Sequence, residues 1–318
     1  MAQVYEIGLV GRVRWELHSL NNEGTTGNVT EPRTLILADG TKTDGISGEM
    51  LQHIHVERMW QLGDKKKLCA ACQNLQPTRI DRVLIEEKKT NVSVDEAIKY
   101  ALTKCAICDL HGFLIQKPAS SRNSTILFGW AVGVPALTKR DIHVHARHAP
   151  GEKARAEKES AEKKEDTKEV EEEEMEVQEQ MVYNRPTRSG VYAIQSVFQP
   201  WRIGLNEVSY DYVISKAERA ERYRLGLDAW GAMFPRTDGA MTTTRLPHVE
   251  DFRGVIVISR THYPVPIITA LNNDFEKLIE RHIKATEPVA KIEIMPFNTI
   301  PEFLEKLNAL RADEPSEL

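Results

Sequence analysis

No stretch of the 318 residues approaches the ~18 consecutive apolar residues that a membrane helix needs. The first residues, MAQVYEIGLV, carry no basic region ahead of an apolar one, so no signal peptide is read there. A cytoplasmic protein with no membrane partner is expected. The GxSxG, HExxH, Walker and dinucleotide-binding motifs are all missing, which removes the commonest sites of hydrolases, metalloproteases, NTPases and dehydrogenases. No catalytic residue is assigned, and a non-enzyme is expected. Cysteine is scarce at four residues. In a cytosolic chain, thiols point to a metal before a disulfide. There is no internal repeat.

Net charge is −5, which argues against a polyanionic partner until its distribution is considered. Residues 151–180 hold 13 of the 47 acidic and 6 of the 42 basic side chains. The remainder therefore has 36 basic and 34 acidic residues, so an anion site must come from local clustering. The 151–180 segment has no aromatic residue and reads as a disordered insert or a solvated charged helix.

Hydrophobic content is an ordinary 41%, and the length suits one large or two modest domains. Val4, Ile7, Leu9, Val13 and Leu17 mark a first strand, and Leu35–Leu37 a second. Ser47 is a plausible N-cap of a helix whose face holds Leu51, Ile54, Met59 and Leu62. Ser93 with Glu96, and Ser215 with Glu218, form capping-box patterns, and Thr299 with Glu302 caps a last helix. GVYAIQSVFQ, GVIVIS and AKIEIM read as strands, DFEKLIERHIKA as a helix, and ADEPSEL as a tail that should fray. Strands and helices do not alternate regularly, so an α+β fold on a mostly antiparallel sheet is expected.

Cys69 and Cys72 form one CxxC, and Cys105 and Cys108 another. Two such knuckles can set four thiolates around one zinc ion. A site closed by four cysteines has no open position, so the metal would be structural. A thioredoxin-like redox pair is disfavoured, because neither CxxC sits between a strand and a helix in that manner. The histidines of HIH (His53, His55) and HVHARH (His143, His145, His148) lie beside arginines in expected surface segments, where a polar role outweighs metal binding.

The remaining signal lies in loops. HSLNNEGTTGNVTEPR, residues 18–33, is too long for a tight hairpin and too polar for a core. It and the segments Lys117 to Asn123, Arg140 to His148, Arg185 to Ser189 and Gly239 to Arg245 combine Arg, Lys, Asn, Ser and Thr with Gly or Pro. Such groups suit phosphate and sugar contacts, although solvated loops have the same composition.

Four stretches occur in an order that resembles the DevR-like CRISPR proteins. They are SLNNEGTTGN with PR and DGISGEMLQH, then DLHGFLIQKPASSRNSTILFGWAVGVPAL, MVYNRPTRSGVYAIQSVF and MTTTRLP. Members of that family are crRNA-binding backbone subunits of type I Cascade, within the repeat-associated (RAMP) superfamily, and the resemblance implies the same role here. The resemblance implies an RRM-like, ferredoxin-like palm over residues 1–62, 110–138 and 190–318. A helical finger insert carrying one structural zinc would span 63–109, and a thumb 139–189, with 151–180 as a flexible part. It implies crRNA and, through it, target DNA as partners, together with other Cascade subunits and head-to-tail copies of the chain.

By the same resemblance, Asn21, Asn22, Asn28 and Arg33 would hold the RNA backbone. Ser47, Gly48 and His53 match an ISGxxLxH pattern beside it. Lys117, Arg122, Arg140, His145, Arg147 and Arg245 would supply further contacts from the basic loops. Two features depart from the plain family pattern: the paired CxxC and the acidic run, whose negative charge near phosphate opposes binding. Two other readings remain open. Related type III subunits cut RNA with an aspartate in the loop after the first strand, where this chain has only Glu23 and Glu31. A zinc-stapled protein-interaction scaffold would leave the basic loops incidental.

Overall fold

The computed structural model describes residues 2–147, 181–239 and 242–318, with side chains described for all of these except 145–147 and 181–183. The acidic segment 151–180 and His148 lie outside the described residues, as do Ala240 and Met241 of the last basic loop.

The fold is mixed α and β around one mostly antiparallel sheet. Its strands are β1 (Glu6–His18), β2 (Asn22–Thr26), β3 (Val29–Pro32), β4 (Thr34–Ile36), β5 (Lys42–Ile46), β6 (Ile126–Phe128), β7 (Ala131–Arg147), β8 (Met181–Phe198), β9 (His248–Ser259) and β10 (Ile292–Phe297). The lateral order β10-β9-β1-β8-β7-β5-β4 is antiparallel at every step. Alternation along β1 sets the two faces: Ile7, Leu9, Val13 and Trp15 enter the larger core, and Val10 the smaller one.

Three helices cover the larger core: α1 (Gly48–Leu62), α6 (Lys216–Met233) and α8 (Ile300–Leu310). Ser47, Ser215 and Thr299 each accept the capping bond expected of them, from the amides of Met50, Glu218 and Glu302. Leu51, Ile54 and Met59 are buried, whereas Leu62 at the helix end is exposed. Phe234, Phe252, Phe297 and Phe303 lock α6, α8 and the sheet together, with ring centroids 4.6–5.9 Å apart. The opposite face carries α7 (Phe275–Thr286), whose Phe275 and Ile279 pack on Val10, Ala193, Val255 and Val257. No helix among the described residues is long and apolar enough to cross a membrane.

Residues 63–111 leave the sheet as short helices: α2 (Ala70–Gln73), α3 (Ile80–Glu86), α4 (Val94–Lys104) and α5 (Ala106–His111). Ser93 and Glu96 make the reciprocal capping box at the start of α4.

Two expectations fail. The C-terminal tail does not fray: Glu314–Pro315 pairs in parallel with Gln3–Val4, and Arg219 donates to the Ser316 carbonyl at 2.7 Å. The short segment is held by backbone pairing and one buried guanidinium, neither of which leaves a hydrophobic pattern. The polar stretch after β1 is not a loop either. It folds as the hairpin β2–β3, with Gly27 at φ +58° in its two-residue turn. Most of its side chains are exposed or half-buried, so no core-facing alternation marks it.

Candidate nucleic-acid interface and metal centre

The hairpin is anchored by a buried relay at the end of β1. The Leu20 amide donates to His18 Nδ1 at 3.3 Å, and His18 Nε2 lies 2.9 Å from the Tyr192 hydroxyl. Tyr192 donates to Asp44 Oδ2 at 2.7 Å, which leaves its oxygen free to accept from Nε2. His18 is therefore neutral and carries its proton on Nε2. Burial, then the charge of Arg188, holds it well below the ordinary imidazole range. Burial, then Asp44, pushes the Tyr192 phenol well above its own. Asp44 is fully buried and meets Arg188 at 3.1 Å through both oxygens. Arg140 approaches it at 3.3 Å while staying 32% exposed. Two guanidiniums on one carboxylate leave a positive excess just beneath the hairpin.

The expected contact residues separate into groups. Asn21 is a strained anchor at φ +51°, whose Oδ1 accepts from the Ser47 amide at 2.6 Å. Asn22 bonds Ser19 and accepts from Arg188. Asn28 lies at the hairpin turn, where its carbonyl accepts from the Asn184 amide at 2.7 Å. Arg33 pairs with Glu23 at 3.5 Å, and its guanidinium lies over the Trp130 ring, 5.6 Å from the centroid. Arg140 also donates to Thr34 Oγ1 and the Thr43 carbonyl, both at 2.9 Å. Arg245 reaches Thr187 Oγ1 at 3.5 Å. The structure thus gathers Asn21, Asn22, Asn28, Arg33, Arg140 and Arg245 around the hairpin root and strands β7 and β8.

Other candidates part from this group. Arg122 is not a loop cation: its side chain is 1% exposed and pairs with Asp109 at 2.9 Å. Its short strand, Ser120–Arg122, turns the side chain inward, where it also caps the Leu205 and Arg202 carbonyls. Gly48 answers to packing, since a Cβ there would lie 2.3 Å from the Phe128 carbonyl oxygen. Ser47 is spent on the α1 cap. His53 is exposed and faces Glu57 on its own helix at 3.1 Å. Lys117 is exposed at the cis Lys117–Pro118 bond. His145 and Arg147 lie on β7, and their side chains are outside the described residues.

The HIH pair also divides, because the two positions fall on opposite sides of α1. His55 is fully buried, not a surface residue. Its Nε2 donates to the Gly226 carbonyl at 3.1 Å, so its Nδ1 accepts from His111 Nε2 at 2.8 Å. Burial lowers His55 to about 4, opposed by the bond to Gly226.

Residues that the sequence reading passed over hold the site together. Tyr192 sat inside the expected strand GVYAIQSVFQ, Asp44 in the DGISGEMLQH stretch ahead of α1, and Trp130 inside a strand-and-turn segment. No local motif announces any of them, and only pairing across the sheet brings them together.

The four cysteines converge. Their sulfur atoms all lie within 4.8 Å of one another, and all four residues are buried. Cys72 Sγ and Cys108 Sγ are 3.8 Å apart, the edge expected of a tetrahedron with metal–sulfur bonds of about 2.3 Å. Cys69 opens α2, and Cys105 sits between α4 and α5, so helix ends aim both knuckles at one point. Burial pushes the Cys108 thiol up, a cost that a bound cation would reverse.

No curated protein sequence matches the chain. Solved structures similar to the chain include three from CRISPR proteins. A chain of a CRISPR RNA-guided surveillance complex, pre-nicking, is 11% identical with TM-score 0.48, over 90% of this chain and 89% of that one. A chain of another CRISPR RNA-guided surveillance complex is 10% identical with TM-score 0.46, over 96% and 98%. Thermofilum pendens Csc2, in its crystal structure, is 11% identical with TM-score 0.38, over 96% and 82%. Residues 9–279 match the model of the CRISPR-associated negative auto-regulator DevR/Csa2, and the chain belongs to that family.

Proposed function

We propose that the chain is a non-catalytic backbone subunit that holds crRNA in a type I CRISPR surveillance complex. The family match over residues 9–279 carries the reading. In it, the sheet is an RRM-like palm, the β2–β3 hairpin and the Arg140 strand lie along the RNA backbone, and 63–109 and 139–189 are the finger and thumb. Contacts are to phosphate and sugar, so any spacer sequence is accepted. Target DNA reaches the subunit through the crRNA, and other Cascade subunits and head-to-tail copies complete the assembly in the cytoplasm. Head-to-tail contacts build open filaments.

Cleavage is disfavoured at this hairpin. Glu23 is engaged with Arg33 and Asp44 is sealed between Arg188 and Tyr192, which leaves the exposed Glu31 as the acid to test: nuclease activity abolished by Glu23→Ala or Glu31→Ala would restore the cleavage reading. The donor set fits one zinc ion, held by Cys69, Cys72, Cys105 and Cys108. Bound there, the ion would cross-link the finger helices and leave no position for a substrate.

Sizing chromatography of the purified chain at low salt tests the RNA reading. A high ratio of absorbance at 260 to 280 nm, with large assemblies dispersed by ribonuclease or high salt, is expected. A monomer with a clean protein spectrum that ignores added RNA would overturn it in favour of the scaffold reading. Elemental analysis of the same sample should give one zinc per chain, lost in Cys72→Ser with a fall in melting temperature.

A further inference from the structure

An exposed tryptophan alone carries little weight, since single apolar side chains are common on surfaces. Trp130 has company. It lies between β6 and β7 and is 39% exposed, whereas Trp15 and Trp230 are fully buried. The Arg33 guanidinium sits over its ring. Arg33 Nε makes only a long ion pair with Glu23, at 3.5 Å and without a hydrogen bond among the described residues, so the guanidinium is weakly held and can turn its fork to a stronger anion. Beside the indole is a hollow of about 220 Å³, lined by Gly48, Glu49, Gln52, Phe128 and Trp130 among others.

The charges in this corner separate two kinds of guest. The Glu49 carboxylate repels a phosphate from the hollow but accepts from the amino groups of a base. Gln52 both donates and accepts. Arg33, on the hairpin side, suits a phosphate. A flat, partly polar group bearing an anion at one end satisfies all three. We propose that Trp130 is a stacking platform for one base of a single-stranded RNA, with Arg33 on the adjoining phosphate and Gln52 and Glu49 at the base edge. The proposal rests on the RNA-holding reading and adds a base-contacting position to a site otherwise made of backbone contacts.

The test titrates the full-length chain with a short fluorescein-labelled oligouridine and with an abasic strand of equal length. Trp130→Ala should weaken oligouridine binding by about tenfold, the loss of one stacked base. It should leave abasic binding and the salt dependence unchanged. Arg33→Ala should weaken both strands and lower the slope of log K against log salt by about 0.7. Trp130→Ala binding oligouridine like the unaltered chain, or losing affinity equally for both strands, overturns the stacking role. Should Trp130→Ala fail to fold, Trp130→Phe carries the test. RNA should quench indole emission in the unaltered chain and not in this variant, and quenching that persists overturns the proposal. If the unaltered chain binds neither strand, the RNA-holding reading falls and takes this inference with it; if it binds both and ignores Trp130, only this inference falls.

Discussion

Two buried carboxylates in this molecule each bridge two arginines, and they serve different ends. Asp109 meets Arg122 at 2.9 Å and Arg222 at 2.8 Å, with side-chain exposures of 0%, 1% and 2%. It also accepts from the Gly204 amide, and both arginines cap backbone carbonyls nearby. Every partner faces inward, so the knot ties α5 and α6 to the strands. Asp44 meets Arg188 and Tyr192 in the same manner, but its second arginine, Arg140, stays partly in solvent. One knot is closed and structural, and the other has an open end beneath the polar hairpin. An arginine in a basic stretch of sequence is therefore not by that fact an anion ligand: what matters is whether its carboxylate partner has already taken up its donors.

The largest expected difference follows from removing the shared acid. Asp109→Ala removes the buried acid shared by two guanidiniums, leaving Arg222 with Glu218 and Arg122 with Glu207 at 3.7 Å, and should cost about 3–5 kcal/mol. The variant should be insoluble or melt far below the unaltered chain in a thermal scan. Arg122→Ala should cost a similar amount. Whatever folds of it should bind RNA with unchanged affinity and salt slope. A stable Arg122→Ala with weakened RNA binding would dissolve the distinction between the two knots.

Acid should act on both regions by a common mechanism. His18 and His55 are held neutral by burial, His18 well below its ordinary value and His55 at about 4. An unfolded chain takes up these protons from about pH 6.5 downward, while the folded chain refuses them, so stability rises with pH across this window. The contribution of these histidines should be constant above pH 7. Below about 6.5 each histidine should lower stability by up to roughly 1.4 kcal/mol per pH unit, levelling for His55 near 4, while Glu6, raised by burial to about 7, contributes the opposite slope between about 4.5 and 7 and offsets one of them. Denaturant midpoints measured at successive pH values check this, and His55→Gln should flatten the slope. Protonating His18 would also place a hydrogen on Nδ1, against the Leu20 amide, so the charged ring is incompatible with the hairpin root as folded.

Much of this was legible in the sequence where the signal was local. Caps at Ser47, Ser93, Ser215 and Thr299 and the alternation along β1 fix helix starts and sheet faces from neighbouring residues alone. The paired CxxC was also local, and the structure needed only to bring its two halves together. The β2–β3 hairpin was missed because neither of its faces is buried, so it shows no hydrophobic period. The ordered tail was missed because backbone pairing with residues 3–4 leaves no composition signal. Arg122 looked like Lys117 in sequence, and only the position of Asp109 separates them. Asp44, Tyr192 and Arg188 are far apart in the chain, so the relay exists only once β5 and β8 share a sheet.

The open knot gives the smaller effects. Arg140→Ala removes a half-exposed ion pair and three hydrogen bonds and should cost about 1 kcal/mol of stability. Unlike Arg122→Ala, it should lower RNA affinity and the salt slope by about one contact. Glu23→Gln is the finest probe. The Glu23–Arg33 pair is exposed at 53% and 28% and 3.5 Å long, so its loss should change stability by less than about 0.5 kcal/mol. If Arg33 is held in reserve for phosphate, that carboxylate competes with the RNA, and its removal should raise affinity a few-fold at low salt, with the gain fading as salt screens the pair. Unchanged affinity would mean that Arg33 is committed to Trp130 alone, and the open end of the knot would then be Arg140 by itself.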